Sequence, residues 1–475
     1  MTPSPLDLPE ADFRRLSQRV SELASGWLQG LDARPITPAA RGQETEALFD
    51  GALPEEGLGD AALDALLPLM DACRAYNARF LGYVFGAGSP MGALGDFLTS
   101  VLNQNTTAWR SAPAAVSLER ALVRELARAV GCEGFGGSLC GGGSAANLMG
   151  LALAREARAP ANEDGVQPGG VVYASSEVHM SIPKAMALLG LGRKALRLLP
   201  VDAGMRLVPG ALARAVEEDL AAGRRPIAVV ASAGTVNTGA VDPLEAVADV
   251  AAAHGLWLHV DGAYGGLAAL ARPELFRGLQ RADSLSLDAH KWLHQPVDCG
   301  LFLFKDAGRA RAAFSHTGDY AAVLGGAGDV EGFAFFDESL ELSRRFRALK
   351  LWLSLRYHGL AAFRDAIGRD LAHAQALGEA IRREPRLQHV GQGPLSAVCF
   401  QYVGRVPEAQ RDAFNASLLP RLNARGRVYL SNAVLGGRFC LRACFVNHRT
   451  RPADVQSVVD EVLATGAALE SGSSA

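Results

Sequence analysis

The chain has 475 residues, 49% of them hydrophobic and 20% charged, and its 47 basic and 50 acidic side chains leave a formal net charge of −3. That length exceeds one small core and predicts about two or three domains, and the near-neutral balance carries no basic footprint for nucleic acid. Only five of the basic residues are lysines (Lys184, Lys194, Lys291, Lys305 and Lys350); a GC-rich genome accounts for the scarcity, yet a lysine can do imine chemistry that a permanently charged guanidinium cannot.

Residues 1–20 mix prolines, acids and arginines without an apolar core, so no secretory signal is expected. No stretch of about 18 uncharged apolar residues occurs, so no membrane span is expected either. The N-terminal region reads as helices broken by Pro and Gly, for example over 60–75. Short apolar runs at 171–174, 195–201, 227–231, 256–260, 284–287 and 301–304 read as strands, with helical patterns at 178–189, 209–222 and 243–253 between several of them. Apolar strands interleaved with helices predict an α/β fold whose mostly parallel sheet is covered on both faces. After residue 344 the pattern becomes helix-rich, then shows strands at 397–402 and 438–445 and a last helix from Pro452. The expected domains are a helical segment over 1–89, a large α/β domain over 90–350 and a small α+β domain over 351–475. Seven dispersed cysteines (Cys73, Cys132, Cys140, Cys299, Cys399, Cys440 and Cys444) form no C-x-x-C pair, and no H-E-x-x-H occurs. Reduced thiols, a cytoplasmic location and no metal site are therefore expected.

Five segments carry chemistry. Lys291 follows the apolar run at 284–287 directly and is flanked by His290 and Trp292. Ligands of open α/β sheets bind beyond the carboxyl ends of strands, and a lysine there suits an imine with the aldehyde of pyridoxal phosphate (PLP); the plainer alternative is a surface lysine. Asp261 ends another apolar run, where an unpaired carboxylate would be costly. A bound pyridinium nitrogen accounts for it, as would a cap on the next helix. The glycine-rich turn 136–144 opens into an apolar helix from Ala145, with Ser144 as N-cap, and presents free N–H groups to an anion. His179 follows the run at 171–174 and offers a ring to stack on a planar cofactor, while Thr235 places a hydroxyl after the run at 227–231.

In these motifs the chain resembles the group II PLP-dependent amino-acid decarboxylases, which include the aromatic-amino-acid, histidine and glutamate decarboxylases. Ser284, Leu285, Lys291, Trp292, Leu293, Val297, Cys299, Phe302 and Lys305 stand at the spacing of that family's lysine signature, and the likeness runs from Asn77 to Thr450. The resemblance implies PLP-dependent transferase fold type I, the aspartate-aminotransferase-like fold, with an N-terminal helical flap and an obligate homodimer sharing its sites. It implies Lys291 as the imine lysine, Asp261 as the pyridinium partner, and His179 as the ring-stacking acid or base. Ala263 packs the other ring face, and Gly143, Ser144 and His290 hold the phosphate, with Thr235 at the same edge. Tyr320, in a glycine-rich stretch suited to a lid, falls where the family has the tyrosine that protonates the α-carbon after carbon dioxide leaves. Relatives with Phe there tend to form aldehydes. Lys305 and Lys350 are expected to be structural.

The implied function is decarboxylation of an L-amino acid to its amine and carbon dioxide through an imine on Lys291. The alternatives are another PLP reaction (aldehyde synthase, aldolase or transaminase) and a silent regulatory homologue. The sequence also departs from the family. Asn77 and Ala78 replace a His-Pro pair, Val236 replaces a threonine, and Gly262 replaces an alanine. Tyr83, Asn105 and Thr107 are the expected substrate contacts, and the polar Asn105 and Thr107 before Trp109 weaken the case for a catechol or indole. Acidic, aromatic, hydroxylated and diamino acids all remain open at this stage.

Overall fold

The computed structural model describes residues 4, 6–316 and 330–472, so Tyr320 lies outside the described residues. Seven strands form the main sheet: β1 (Gly136–Cys140), β2 (Gly170–Ser175), β3 (Leu196–Leu199), β4 (Arg225–Ser232), β5 (Trp257–Gly262), β6 (Ser284–Asp288) and β7 (Gly300–Phe304). Their order is β1-β7-β6-β5-β4-β2-β3. From β6 to β3 every pair is parallel, whereas β7 runs antiparallel to both β6 and β1. Successive side chains of a strand point to opposite faces, and the core divides accordingly. Val172, Ala174, Ala228, Val230 and Trp257 pack with the helix Gly143–Arg158 on one face. Val171, Tyr173, Val229, Ala231, Leu258 and Val260 join the larger core on the other. That two-sided burial explains the continuous apolar runs.

The six strands expected here from apolar runs are present, with the run at 195–201 shortened to β3. The expected helix at 178–189 covers Ser181–Leu188, and the pattern at 60–75 becomes a 3-10 turn Gly59–Leu63 followed by the helix Leu66–Ala72. The glycine-rich segment read as a turn contains an additional strand, β1. Its glycines obscured it for a physical reason: a side chain on Gly137 would meet the Phe302 carbonyl oxygen at 2.1 Å, so the close approach of β7 demands glycine. Behind β1 the fully buried Glu119 and Arg344 form an ion pair. Arg344 also donates to the Leu139 carbonyl at 2.8 Å, and Glu119 accepts the Leu139 N–H at 2.8 Å, fixing the edge strand in place.

A second sheet, order β10-β11-β9-β8, is built from β8 (Leu387–Gln392), β9 (Ala397–Tyr402), β10 (Ser431–Leu435) and β11 (Arg438–Cys444). Gly436 and Gly437, both with positive φ, make the two-residue turn that joins β10 to β11. The helix Ala348–Arg383 runs through the expected boundary at 350, and its kink lies at Gly359. The segment after residue 77 is tied to the small sheet: Leu81 N–H donates to Tyr429 O and Cys444 N–H to Leu81 O, each at 2.9 Å. Asn77, fully buried, receives the Arg79 N–H on Oδ1 at 3.0 Å and donates to Arg34 O at 3.3 Å. The amide therefore makes the local turn itself. Lys350, also fully buried, donates to Asp96 at 3.0 Å and to Pro296 O at 2.8 Å.

β7 presses on the loop before the helix Gly143–Arg158: a Cβ on Gly300 would lie 2.3 Å from Gly142 Cα. Gly300→Ala is expected to destabilise the fold by about 1–3 kcal/mol through overpacking. Gly368→Ala, in a helix where a Cβ meets nothing within 4 Å, is expected to stabilise by about 0.5–1 kcal/mol. Chemical denaturation of the two variants beside the parent chain measures both.

Candidate active site

Because β2, β4, β5 and β6 are parallel, the residues that follow them emerge at one edge of the sheet. There they enclose a cavity of about 420 Å³. Gly143 and Ser144 border it, as do His179, Thr235, Asp261, Ala263, His290 and Lys291. Residues as far apart in sequence as 143 and 291 thus meet at one place.

Lys291 lies in the single turn Ala289–Trp292 that ends β6, and its Nζ is 2.8 Å from Asp288 Oδ2. Asp288 is the last residue of β6 and is buried, with Oδ1 lacking a partner among the described residues. His290 Nδ1 accepts the Cys299 N–H at 3.3 Å, which leaves the ring proton on Nε2, 3.5 Å from Asp288 Oδ2. Burial lowers the His290 pKa, so Asp288 faces one ammonium and one neutral imidazole.

Asp261 is equally buried, and all its hydrogen bonds come from neutral donors. Oδ1 accepts from Ala263 N and Ser286 Oγ, each at 3.2 Å, and Oδ2 from Asn147 Nδ2 at 2.9 Å. The direction of the network behind it is set from the Asp261 end: the carboxylate takes the Asn147 Nδ2, so Oδ1 faces His259 Nε2, which must donate to it. Trp257 Nε1 donates to Ser284 Oγ at 2.9 Å, and Ser284 donates to His259 Nδ1 at 2.8 Å. His259 Nε2–H then donates to Asn147 Oδ1 at 2.9 Å. This orients the Asn147 amide so that Nδ2 reaches both Asp261 and, at 2.9 Å, Ser181 Oγ. Ser181 passes its proton toward His179 Nδ1 at 2.8 Å, and its N–H reaches the same nitrogen at 3.2 Å. His179 therefore carries its proton on Nε2. Burial lowers the His179 pKa; Asp261 opposes the shift and Lys291 adds to it.

The helix Gly143–Arg158 begins at the cavity wall. Its first bonded amides, Ala145 and Ala146, both donate to Gly142 O, so the Gly143 and Ser144 N–H groups precede the ladder. A Cβ on Gly143 would meet Ala263 Cβ at 2.5 Å, so only glycine lets the helix start lie this close. These free amides at a positive dipole end suit a phosphate. The buried Asp261, Lys291 at its strand end and His290 beside it supply the remaining groups that a phosphorylated pyridine aldehyde requires. The chain's residues fit PLP.

Other expected residues fall differently. Tyr83, held at φ 59 and half exposed, borders the cavity, and its hydroxyl lies 3.0 Å from that of Tyr429. Asn105 accepts the Arg344 N–H at 2.9 Å, and the Thr107 carbonyl accepts the Phe335 N–H at 2.8 Å. Neither residue borders the cavity of its own chain. The cavity also contains residues that sequence reasoning missed: Asn147, Glu177, Asp288 and Arg442. Asp288 ends an apolar strand as Asp261 does, and Asn147 lies three residues after Ser144 on the same helix, so both had a local signal. Arg442 had none. It is buried, with Nε on Ser431 Oγ at 3.1 Å and Nη1 on the Val236 carbonyl, so the backbone of position 236 serves rather than its side chain.

Burial pushes His259 and His448 down to about 4 and His294 well below the ordinary imidazole value. Each binds its proton more readily in the unfolded chain, so its contribution to stability is complete above pH ~6.5 and drains away as pH falls toward ~4. Asp242 and Asp370, pushed up by burial to about 6 and about 7, act in the opposite sense. With His179 and His290 also lowered, the imidazoles prevail. The thermal midpoint is expected to fall from pH 6.5 to 4 in a calorimetric series, and a rise over that window would contradict this balance.

Residues 44–403 match the pyridoxal-dependent decarboxylase conserved domain. An aromatic-L-amino-acid decarboxylase of Bacillus atrophaeus is 31% identical over 469 residues, covering 97% of this chain and 96% of that protein. An L-2,4-diaminobutyrate decarboxylase of Rhizobium meliloti is 32% identical over 379 residues, 79% of this chain and 75% of the relative. Among solved structures, Oryza sativa TDC with PLP and tryptamine superposes with a TM-score of 0.90 at 28% identity, covering 98% of this chain and 100% of that one. The fold is the aspartate-aminotransferase-like type I fold of PLP enzymes. The chain belongs to the pyridoxal-dependent decarboxylase family and is a PLP-dependent amino-acid decarboxylase.

Proposed function

We propose that decarboxylation of an L-amino acid is divided among the cavity's residues as follows, a reading carried by the joint placement of Lys291 and Asp261 at one sheet edge. Gly143, Ser144 and His290 hold the cofactor phosphate, His179 and Ala263 its two ring faces, Asp261 its ring nitrogen, and Thr235 lies at the same edge. Once bound, PLP supplies an aldehyde for the Lys291 amine and a ring that takes up the electron pair of the broken carbon–carbon bond. Asp288 keeps the Lys291 ammonium in position until the amine is required. Arg442, a buried guanidinium with no carboxylate partner among the described residues, receives and orients the substrate α-carboxylate. Orientation decides which bond to the α-carbon breaks. His179, with its proton on Nε2, and Tyr320 share delivery of a proton to that carbon.

We also propose a homodimer with shared sites. Leu94, Phe97, Leu98, Val101 and Leu102 are all exposed along the helix Pro90–Leu102, and no residue of the helix Glu10–Gly30 is buried. A partner covering these faces supports the reading and gives Asn105 and Thr107 a role in the neighbouring cavity. Seven free cysteines support a cytoplasmic location. Among the described residues no helix is long and apolar enough to cross a membrane.

The test is carbon dioxide release from a panel of L-amino acids by the PLP-loaded protein, with amine, aldehyde and peroxide measured together. Amine is expected in step with carbon dioxide; stoichiometric aldehyde and peroxide would replace the reading with an aldehyde synthase. Lys291→Ala is expected to lose the visible imine absorbance and at least ~1000-fold in turnover; an unchanged variant defeats the assignment. Tyr320→Phe is expected to divert product from amine to aldehyde and peroxide, and an unaltered product ratio would remove Tyr320 from the proton-delivery role.

A further inference from the structure

Once the decarboxylase reading assigns partners, one carboxylate of the cavity is left without a counterpart. Asp288 is paired with Lys291, and the decarboxylase reading matches Asp261 to the ring nitrogen and Arg442 to the substrate α-carboxylate. Glu177 remains. It borders the same cavity, half-buried, two residues before His179. Its backbone N–H donates to Ser175 Oγ at 3.3 Å, and Oε2 accepts from Asn237 Nδ2 at 2.9 Å. Asn237 is itself fixed, because its carbonyl accepts the Cys399 thiol at 3.1 Å. The carboxylate is thus held in place by a neutral donor, and it forms no ion pair among the described residues. A fixed carboxylate facing a substrate cavity without a cation of its own is half of a recognition pair.

We infer that Glu177 selects an L-amino acid bearing a second, distal ammonium group, an inference that rests on the decarboxylase reading above. A distal ammonium supplies a cation for Glu177 while the α-carboxylate takes Arg442. An acidic side chain would meet Glu177 with Arg442 already engaged, and like charges would repel. An aromatic side chain would leave the Glu177 carboxylate desolvated and unpaired, which costs binding. Val84, Val236 and Val297 form uncharged walls suited to the methylenes of such a chain. The reaction balances simply: the bond from the α-carbon to the carboxylate breaks, carbon dioxide leaves, the α-carbon takes one proton, and a diamine forms.

Steady-state carbon dioxide release by the PLP-loaded enzyme tests this with L-2,4-diaminobutyrate and L-ornithine against L-norvaline and L-phenylalanine, whose side chains are uncharged, and the acidic L-glutamate. The diamino acids are expected to exceed norvaline in kcat/KM by about tenfold or more, and Glu177→Gln to reduce that ratio by a similar factor, mainly through KM. Calorimetric titration with 1,3-diaminopropane against butylamine gives a readout independent of turnover, with the diamine preference lost in Glu177→Gln. Equal or better use of norvaline, phenylalanine or glutamate by the parent enzyme overturns the inference, as does an unchanged ratio in the variant; carbon dioxide released from those acids leaves the decarboxylase reading intact. Intact cofactor absorbance with no carbon dioxide from any amino acid defeats the decarboxylase reading and this inference together.

Discussion

The site depends on holding one buried carboxylate among neutral donors alone. Asp261 ends a fully buried strand and is itself 7% exposed. Its oxygens accept from Ala263, Ser286 and Asn147, none of which carries a charge. A nearby lysine or arginine would have satisfied the same carboxylate and removed its reason to bind a ring nitrogen. The chain instead places its ammonium on Asp288, one strand over. The two acids at adjacent strand ends are separated by function through their partners: one has a cation, and one has only neutral donors.

The network behind Asp261 transmits position rather than charge. Trp257, Ser284 and His259 hold Asn147 in one amide orientation, and Asn147 ties Asp261 to Ser181 and hence to His179. The His179 tautomer is set where the chain ends, because the Ser181 backbone N–H can only donate and so makes Nδ1 the acceptor. Low dielectric makes such a network costly to leave half-satisfied, so loss of one member affects both the Asp261 carboxylate and the His179 imidazole.

The cavity is not a property of the large sheet alone. Arg442, on β11 of the small sheet, reaches the Val236 carbonyl, and Tyr83 lies against Tyr429. The segment that carries Tyr83 is hydrogen-bonded between β11 and Tyr429. Lys291, Asp261 and Asp288 therefore come from the parallel sheet, while Arg442 and Tyr83 bring the C-terminal unit to the same cavity.

Much of this was legible in the sequence. The apolar runs specified the parallel strands because their residues are buried on both faces, and Lys291, Asp261, Gly143 and Ser144 stood out because strand ends and helix starts are local features. The departure at Val236 was visible too, although the use of its carbonyl by Arg442 was not. The tertiary structure decided the rest. β1 was obscured by glycines that a neighbouring strand requires, and Asn147, Glu177 and Arg442 acquire meaning only where separate elements converge. A sequence shows which residues end a strand; it does not show which of those ends lie side by side. The physical reason is that strand order and side-chain direction are set by packing across the sheet. The partners of a charge, and so the charge left over for substrate, exist only once the fold has formed.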